Sequence, residues 1–197
     1  MPASINASTT AGVIVTSDTS GSLDFQSGGT TKLSVTSAGA YGTITSGTAV
    51  ASTSGTSIDF TGIPSWVKRI TVMFNGVSTN GTSDLLVQLG DSGGIENTSY
   101  VSLVKTISTG VSGTTSGTTG FAITNITAAA TLYSGSIVIN LQNSNTWLSS
   151  GILNDNATFL YMSSGVKTLS ATLDRIRITT VNGTDTFDAG SINILYE

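Results

Sequence analysis

The stretch Ile70-Thr71-Val72-Met73-Phe74-Asn75-Gly76 places Ile70, Val72 and Phe74 at every second position and ends in a turn dipeptide. A period of two puts these three side chains on one face of a β-strand. The predicted strand ends at Asn75-Gly76, because this dipeptide favours turns. Similar alternating runs occur at residues 58–60, 85–89, 137–141, 159–161, 176–178 and 192–196. No stretch shows a helical period with capping residues, so the sequence predicts an all-β protein.

About eight strands separated by turns predict two packed sheets or a barrel. We expect an antiparallel β-sandwich with a jelly-roll-like arrangement over residues 47–197. Asn182-Gly183 is the strongest hairpin signal, since a type I′ turn needs positive φ at both central positions. The Ser/Thr/Gly-rich tract Ser108–Gly120 is predicted to be a long exposed loop.

Residues 1–46 differ in composition from the rest of the chain and are predicted to form a short β-stranded stem or docking segment. Three apolar pairs of period two start ten residues apart, which indicates three short strands. The entropy cost of ordering this segment, about 1–2 kcal/mol per residue, exceeds what so few apolar side chains supply. The stem therefore needs a partner surface, and we expect trimer contacts through these pairs; a flexible leader is the alternative. The predicted contacts are Val13, Val15, Leu23, Phe25, Leu33 and Val35.

Charge and cysteine content exclude several classes of partner. Only 9% of the 197 residues are charged, the net charge is −4, and the seven basic residues are scattered. Binding to nucleic acid or to an anionic membrane surface is therefore not expected. Cysteine is absent, which rules out disulfides and thiolate chemistry. Neither a signal peptide nor an apolar run long enough for a membrane helix is present, so we expect synthesis in a cytoplasm.

Motifs that resemble catalytic signatures lack their partners. Gly90-Asp91-Ser92-Gly93-Gly94 spells the string around a serine-protease nucleophile, yet the chain contains no histidine to take the serine proton. Ser65-Trp66-Val67-Lys68 matches the Ser-x-x-Lys of penicillin-recognising enzymes without the companion motifs. The acidic residues, including Asp185 and Asp188, are too dispersed for a calcium loop. We predict a non-enzymatic protein with no cofactor and no metal.

The two tryptophans are candidates for contacts with sugar. Trp66 follows Ile63-Pro64 and precedes a strand, which favours packing in the core or at an interface. Trp147, among polar residues that include Asn143 and Asn145, is the better candidate for an exposed contact. Even for Trp147, packing of the ring is the favoured interpretation, and the exposed contact is the alternative.

Most of the chain resembles virion proteins of tailed bacteriophages. The segment from Thr10 to Gly39 is similar to parts of tail fibres and other virion proteins, and Phe60–Ser83, Gln88–Glu96 and Leu173–Glu197 resemble a domain that recurs in them. Residues 100–165 carry little of the match. The resemblance implies a homotrimer on the virion surface, with the N-terminal portion docked on the particle.

Two functions fit this resemblance. A capsid decoration or cement protein would bind itself and the major capsid protein, and the short chain favours it. A short tail fibre or receptor-binding appendage would bind tail proteins and a host-surface glycan or protein. The sequence does not distinguish the head from the tail of the particle.

Overall fold

A computed structural model describes residues 22–36, 39–41, 44–125, 128–156 and 158–197. Every regular element among these residues is a β-strand, and every strand pair is antiparallel. The predicted all-β, antiparallel fold is therefore confirmed. No helix in the described part of the chain is long and apolar enough to cross a membrane. The chain divides between Ile44 and Thr45 into two compact units.

The first unit contains an antiparallel sheet of three strands in the order β1-β2-β3. The strands are β1 (Ser22–Ser27), β2 (Thr30–Thr36) and β3 (Gly39–Tyr41). Gly28 and Gly29 join β1 to β2 with φ angles of 59° and 74°, because a two-residue turn that matches strand twist needs positive φ at both positions. Two of the predicted leader strands thus lie where the sequence places them, whereas Val13 and Val15 lie outside the described residues.

The second unit contains fourteen described strands in two sheets. They are β4 (Thr45–Ser46), β5 (Val50–Ala51), β6 (Ser57–Thr61), β7 (Arg69–Thr79), β8 (Leu85–Asp91), β9 (Gly94–Ile95), β10 (Val101–Ser108), β11 (Val111–Gly117), β12 (Phe121–Ala122), β13 (Tyr133–Asn143), β14 (Thr146–Asp155), β15 (Leu160–Thr168), β16 (Arg175–Thr180) and β17 (Phe187–Tyr196). The nine-stranded sheet has the order β11-β10-β15-β14-β13-β7-β17-β4, with β5 also paired to β17. The five-stranded sheet has the order β12-β8-β16-β6, with β9 paired to β8.

Both sheets contribute to one apolar core. Ile70, Val72 and Phe74 of β7 are buried together with Val87 and Leu89 of β8, as their alternation predicts. All seven residues of β8 are buried, because the segment that leads into β12 covers its other face. There, the side-chain amide of Gln88 donates to the backbone oxygen of Thr119 at 2.9 Å.

Thr45 and Ser46, which the sequence assigned to the stem, form β4 and pair with β17 in the second unit. The predicted division after residue 46 itself stays a prediction. Strand β7 also extends beyond its predicted end. It passes through Asn75 and Gly76, where its pairing with β13 skips two residues between Phe74 and Val77. Gly76 has φ of 61°. The Asn75-Gly76 dipeptide therefore forms a β-bulge within β7, and the strand continues past it.

The tract predicted as an exposed loop is a strand hairpin instead. Residues 111–117 form β11, which pairs with β10 from Ser102–Gly117 to Ser108–Val111. The turn contains Gly110 with φ of 77°. Thr fits a pleated strand as well as a loop, so the polar composition of this tract did not identify its conformation.

The predicted hairpin at Asn182-Gly183 is wrong, because β16 and β17 lie in different sheets. The backbone nitrogen of Gly183 donates to the oxygen of Thr180 at 3.0 Å, which makes Gly183 the fourth residue of a β-turn. The side-chain oxygen of Asn182 accepts from the backbone nitrogens of Thr184 and Asp185 at 3.0 and 3.1 Å. Asn182 thus stabilises a connection between two sheets.

The two sheets approach closely beside β12. A methyl group added to Gly165 of β15 would lie 2.7 Å from Cδ1 of Phe121 and 2.8 Å from the backbone oxygen of Val101. Ser102, Ser149 and Ser163 are buried on the same side of the nine-stranded sheet. Only small side chains therefore fit between the sheets at this point.

We predict that Gly165→Ala lowers the free energy of unfolding by about 1–3 kcal/mol, because the added methyl group forces Phe121 or the strand to move. Urea denaturation monitored by circular dichroism measures the loss. Ser164→Ala, at the neighbouring exposed position of the same strand, serves as the control and is expected to change the stability by less than about 0.5 kcal/mol. Equal stabilities of the two variants would contradict the close approach of the sheets.

Candidate contact surface

The nine-stranded sheet carries an apolar surface on the side that faces away from the core. We call this surface the outer apolar face. It consists of Val101, Leu103 and Ile107 of β10, Leu160 and Met162 of β15, and Leu148 and Ile152 of β14, each between 38% and 70% exposed. Antiparallel sheets usually bury their apolar side and expose their polar side. In the middle of these strands the order is reversed, since serine and glycine face inward while leucine, isoleucine and methionine face outward.

The pairing of the strands makes the outer apolar face continuous. Ile107 lies opposite Leu160, and Met162 lies opposite Ile152. At the other end, Val166 of β15 lies between Val101 of β10 and Leu148 of β14. The seven exposed side chains together offer on the order of 600 Å² of apolar surface, the upper limit of patches on ordinary monomers. Patches of this size usually mark an interaction site.

The face is concave and nearly uncharged. A concavity of about 840 Å³ is lined by Leu103, Leu148 and Val166, among others, and an adjoining one of about 370 Å³ by Ile152 and Met162. Lys105 is the one charged residue among the outward positions of β10, β14 and β15. Its ammonium donates to the hydroxyl of Thr114 on β11 at 3.2 Å, towards the edge of the sheet. The surface therefore suits contact with another apolar surface.

None of these seven residues belongs to the contacts predicted from the sequence. Their signal is the alternation of large apolar side chains with small ones, as in Val101-Ser102-Leu103 and Leu148-Ser149-Ser150-Gly151-Ile152. The alternation identifies a strand with two different faces. It does not show which of the two faces is covered within the chain.

Trp147, the predicted exposed contact, lies in the core. Its side chain is 3% exposed, because Trp147 pairs with Leu141 at the start of β14 and points inward with it. The favoured interpretation of packing therefore holds for this ring, and the candidate surface contact through Trp147 is wrong. Asn143 and Asn145 lie in the β13–β14 turn, where Asn143 is exposed and Asn145 is half-buried.

The exposed tryptophan is Trp66, whose side chain is 48% exposed. Its ring packs against that of Tyr196, with 5.9 Å between the ring centroids and a tilt of 48°. Arg69 and Glu197, which flank this pair in the chain, form an ion pair. Two aromatic rings thus lie together at the surface near the end of β17.

The predicted stem contacts lie partly within the described residues. Leu23 pairs with Val35 and Phe25 with Leu33 across the β1–β2 hairpin, so the sheet brings these four positions together in two cross-strand pairs. The side chains of Phe25 and Leu33 are 46% and 37% exposed, and that of Leu23 is half-buried. The hairpin therefore presents apolar side chains at its surface.

The Gly90–Gly94 string has a structural role in the turn between β8 and β9. The Asp91 carboxylate accepts hydrogen bonds from the Ser170 hydroxyl at 2.7 Å and from the Gly93 backbone nitrogen at 2.8 Å. The same two donors, the Ser170 hydroxyl first, hold the pKa of Asp91 below its ordinary value. Ser92 itself is exposed. The reactive-looking string thus ties one turn to the segment that follows β15.

A partly buried ion pair reinforces this connection. The ammonium of Lys167, which is buried, lies 2.6 Å from a carboxylate oxygen of Glu96 and 5.2 Å from the centre of the Tyr100 ring. The other carboxylate oxygen of Glu96 accepts from the backbone nitrogen of Ser170 at 2.7 Å. Burial alone would raise the pKa of Glu96, but hydrogen bonds from Lys167 and Ser170 outweigh it and lower the pKa.

The remaining acidic candidates also stabilise turns. Asp185 accepts from the backbone nitrogen of Ser83 at 2.9 Å and from the side-chain amide of Asn182 at 2.6 Å. Asp188 accepts from the hydroxyl of Ser78. The described residues contain no group of three or more acidic, histidine or cysteine side chains placed to hold a metal ion.

We predict that Glu96→Gln lowers the free energy of unfolding by about 2–3 kcal/mol at pH 7, because it leaves the buried ammonium of Lys167 without a countercharge. The pKa of Glu96 is lower in the folded state, so its stabilising effect is complete above its ordinary value of 4.5 and is lost as the pH falls through the folded pKa. Thermal melting from pH 7 to pH 3 should therefore show a shallower decline for the variant than for the wild type.

Lys167→Met is the matched change at the other partner. It removes the buried charge and leaves a carboxylate that water reaches and that still accepts from Ser170. The loss of stability should therefore be smaller than for Glu96→Gln in the same urea titration. A larger loss for Lys167→Met would show that the ammonium is not the group that depends on the pair.

No family model, no curated protein and no solved structure matches this chain. A functional surface is therefore identified here from burial, strand register and charge. Among the described residues, these properties favour the outer apolar face over the turn clusters, whose polar groups bind one another.

Proposed function

We propose that the chain is a non-enzymatic structural protein on the surface of a tailed-phage particle, where it serves as a capsid decoration or cement protein. The observation that carries this proposal is the outer apolar face. A cement protein works by contact with neighbouring protein surfaces, and burial of apolar area is the main favourable term in such contacts. The resemblance of the sequence to virion proteins adds the location.

The strand order supports a jelly roll as the fold of the second unit. Within the nine-stranded sheet, β4 and β5, β17, β7 and β13 are consecutive neighbours, and the other sheet has the order β6, β16, β8, β12. Along the chain these strands alternate between the sheets, apart from one consecutive pair, as the strands of a double Greek key do. Jelly rolls are common in viral capsid and lectin domains.

In this interpretation, the outer apolar face belongs to additions to the jelly roll. The hairpins β10–β11 and β14–β15 extend the sheet beyond β13 and are not needed for the eight-strand framework. Val101, Leu103 and Ile107 lie on one hairpin, and the other four residues lie on the second. An interaction surface on added hairpins fits a fold whose framework is general and whose contacts are particular to each protein.

The first unit supports association into a homotrimer. The described sheet of this unit has three strands of three to seven residues, and Phe25 and Leu33 remain exposed on it. Contact with other copies, or with a capsid subunit, would cover them. We propose that this unit is the stem that docks the protein on the particle, with Leu23, Phe25, Leu33 and Val35 among its contacts.

A structural role is also consistent with the polar groups. The chain has no histidine, and the carboxylate of Asp91 and the ammonium of Lys167 are both engaged in contacts that hold turns together. Neither group is placed to activate the exposed Ser92 while it makes these contacts. The Gly90–Gly94 string therefore resembles the protease motif in sequence alone.

A short tail fibre that binds a host glycan is the second candidate. The exposed Trp66–Tyr196 pair favours it, because sugar rings stack on aromatic faces through their apolar C–H groups. Here Trp66 takes the role that the sequence assigned to Trp147. The pair is small, and a single partly exposed ring pair supports weak binding at most.

We predict that an antibody against the chain labels many sites spread over the heads of intact phage particles. Cement contacts require copies beside each capsid subunit, so the label should follow the capsid lattice in electron micrographs. Label confined to a few copies at the tail would support the fibre instead, and absence of label on particles would overturn both candidates.

For the fibre alternative, we predict that Trp66→Ala abolishes any binding on a glycan array, whereas Trp66→Phe retains part of it because the aromatic face is kept. Under the decoration proposal, wild type and both variants show no glycan binding above background. Binding that survives Trp66→Ala would exclude this ring pair as the glycan site.

A further inference from the structure

We propose that the outer apolar face is a contact surface between two copies of this chain, which pack face to face about a two-fold axis. This inference deepens the proposed function, on which it rests, by naming the partner of the face. It is also independent of the contacts proposed for the stem.

The area of the face agrees with a pair of copies. Its apolar side chains offer on the order of 600 Å², and the exposed serines between them bring the surface near the roughly 800 Å² per partner of a stable complex. Ser150 and Ser164 lie opposite each other on β14 and β15, in the middle of the face. A small ligand would cover only part of this area.

The charge of the face argues for the same partner. Lys105 lies between Leu103 and Ile107 on β10, opposite Met162, and its ammonium donates to Thr114 on β11, so the charge is directed away from β14 and β15. Nucleic acid or an acidic peptide would find no counter-charge on this surface. Interfaces between identical subunits are the ones most depleted in charged residues and richest in apolar area.

The shape of the face allows it to complement itself. The two concavities both include Ser150 in their lining, and large apolar side chains such as Leu103 and Ile152 surround them. In a two-fold arrangement the same patch of each copy meets the other, so protruding side chains of one copy can fill the concavities of its partner. Ser150 then lies close to the axis.

The absence of cysteine in the chain makes a cross-linking test clean. The test introduces Ser150→Cys into the full-length protein and treats it with a short bismaleimide. We expect a cross-linked pair of chains as the main product on a denaturing gel. Val181→Cys is the control, since Val181 is also exposed, at 55%, and lies away from the face in the turn between β16 and β17. It should remain as single chains.

Two lysines placed in the face test the cause of the cross-link. In the Ser150→Cys protein, Leu103→Lys with Ile152→Lys should weaken the pairing about tenfold or more and reduce the cross-linked product accordingly. Circular dichroism and thermal melting of this variant should match the parent, because both positions are exposed. Val181→Lys in the same background should leave the yield unchanged.

The inference is overturned when the Ser150→Cys protein stays uncross-linked, when the lysines leave the yield unchanged, or when Val181→Cys cross-links equally well. It is also overturned when the Ser150→Cys thiol is protected from maleimide only on phage particles, since the face then binds a capsid protein. If the Ser150→Cys protein forms no cross-linked pair yet the protein coats particles, this inference fails and the proposed function stands. If the face-to-face pairs form but the protein binds no particle, the pairing stands and the proposed function fails.

Discussion

The close approach of the two sheets at Phe121 and Gly165 leaves room only for small inward side chains beside β12. Where the space between the sheets admits no more than a hydrogen atom at Gly165, the inward positions of the neighbouring strands are occupied by serine and glycine. Beside this point the large side chains, such as Leu103, Leu148 and Met162, face outward, whereas Trp147, Leu153 and Tyr161 face inward further along the same strands. A shift of one residue in the pairing would exchange the two faces and place leucine and methionine where there is no room for them. The core and the outer apolar face are consequences of the same constraint.

This constraint explains why the sequence predicted the fold class better than the contact surface. In β7 the alternation indicates which face is buried, because Ile70, Val72 and Phe74 form an apolar set. The positions between them hold Thr71, which is polar, and Met73. In β10 the two faces compete: Val101, Leu103 and Ile107 form the more apolar set, and Ser102, Val104 and Thr106 the less apolar one. The second set is buried. Only the distance to the opposite sheet decides between them, and that distance depends on residues far away in the sequence.

Local signals were reliable where the chain closes a turn on itself and failed where a distant segment decides. Gly28-Gly29 joins two strands that pair with each other, so its preference for positive φ was sufficient. Asn182-Gly183 carries an equally strong signal, but β16 is already paired on both sides, with β6 and β8, and cannot accept β17. Trp147 follows the same rule, because its direction is set by the register with Leu141 and not by its polar neighbours.

The edges of the sheets indicate why association should use a face. Strands β4 and β5 at one end of the nine-stranded sheet have two residues each, too few to template another strand. The edge strand β6 carries Asp59, which forms a bidentate pair with Arg177 at 2.7 Å for both bonds, and a charge on an edge opposes strand addition. These features discourage open-ended pairing through backbone groups at these edges, whereas β11, at the other end of the nine-stranded sheet, has seven residues and no charge. A nearly uncharged face of limited area has the opposite property, since its contacts are complete once one partner covers it. Association through such a face therefore ends at a defined assembly.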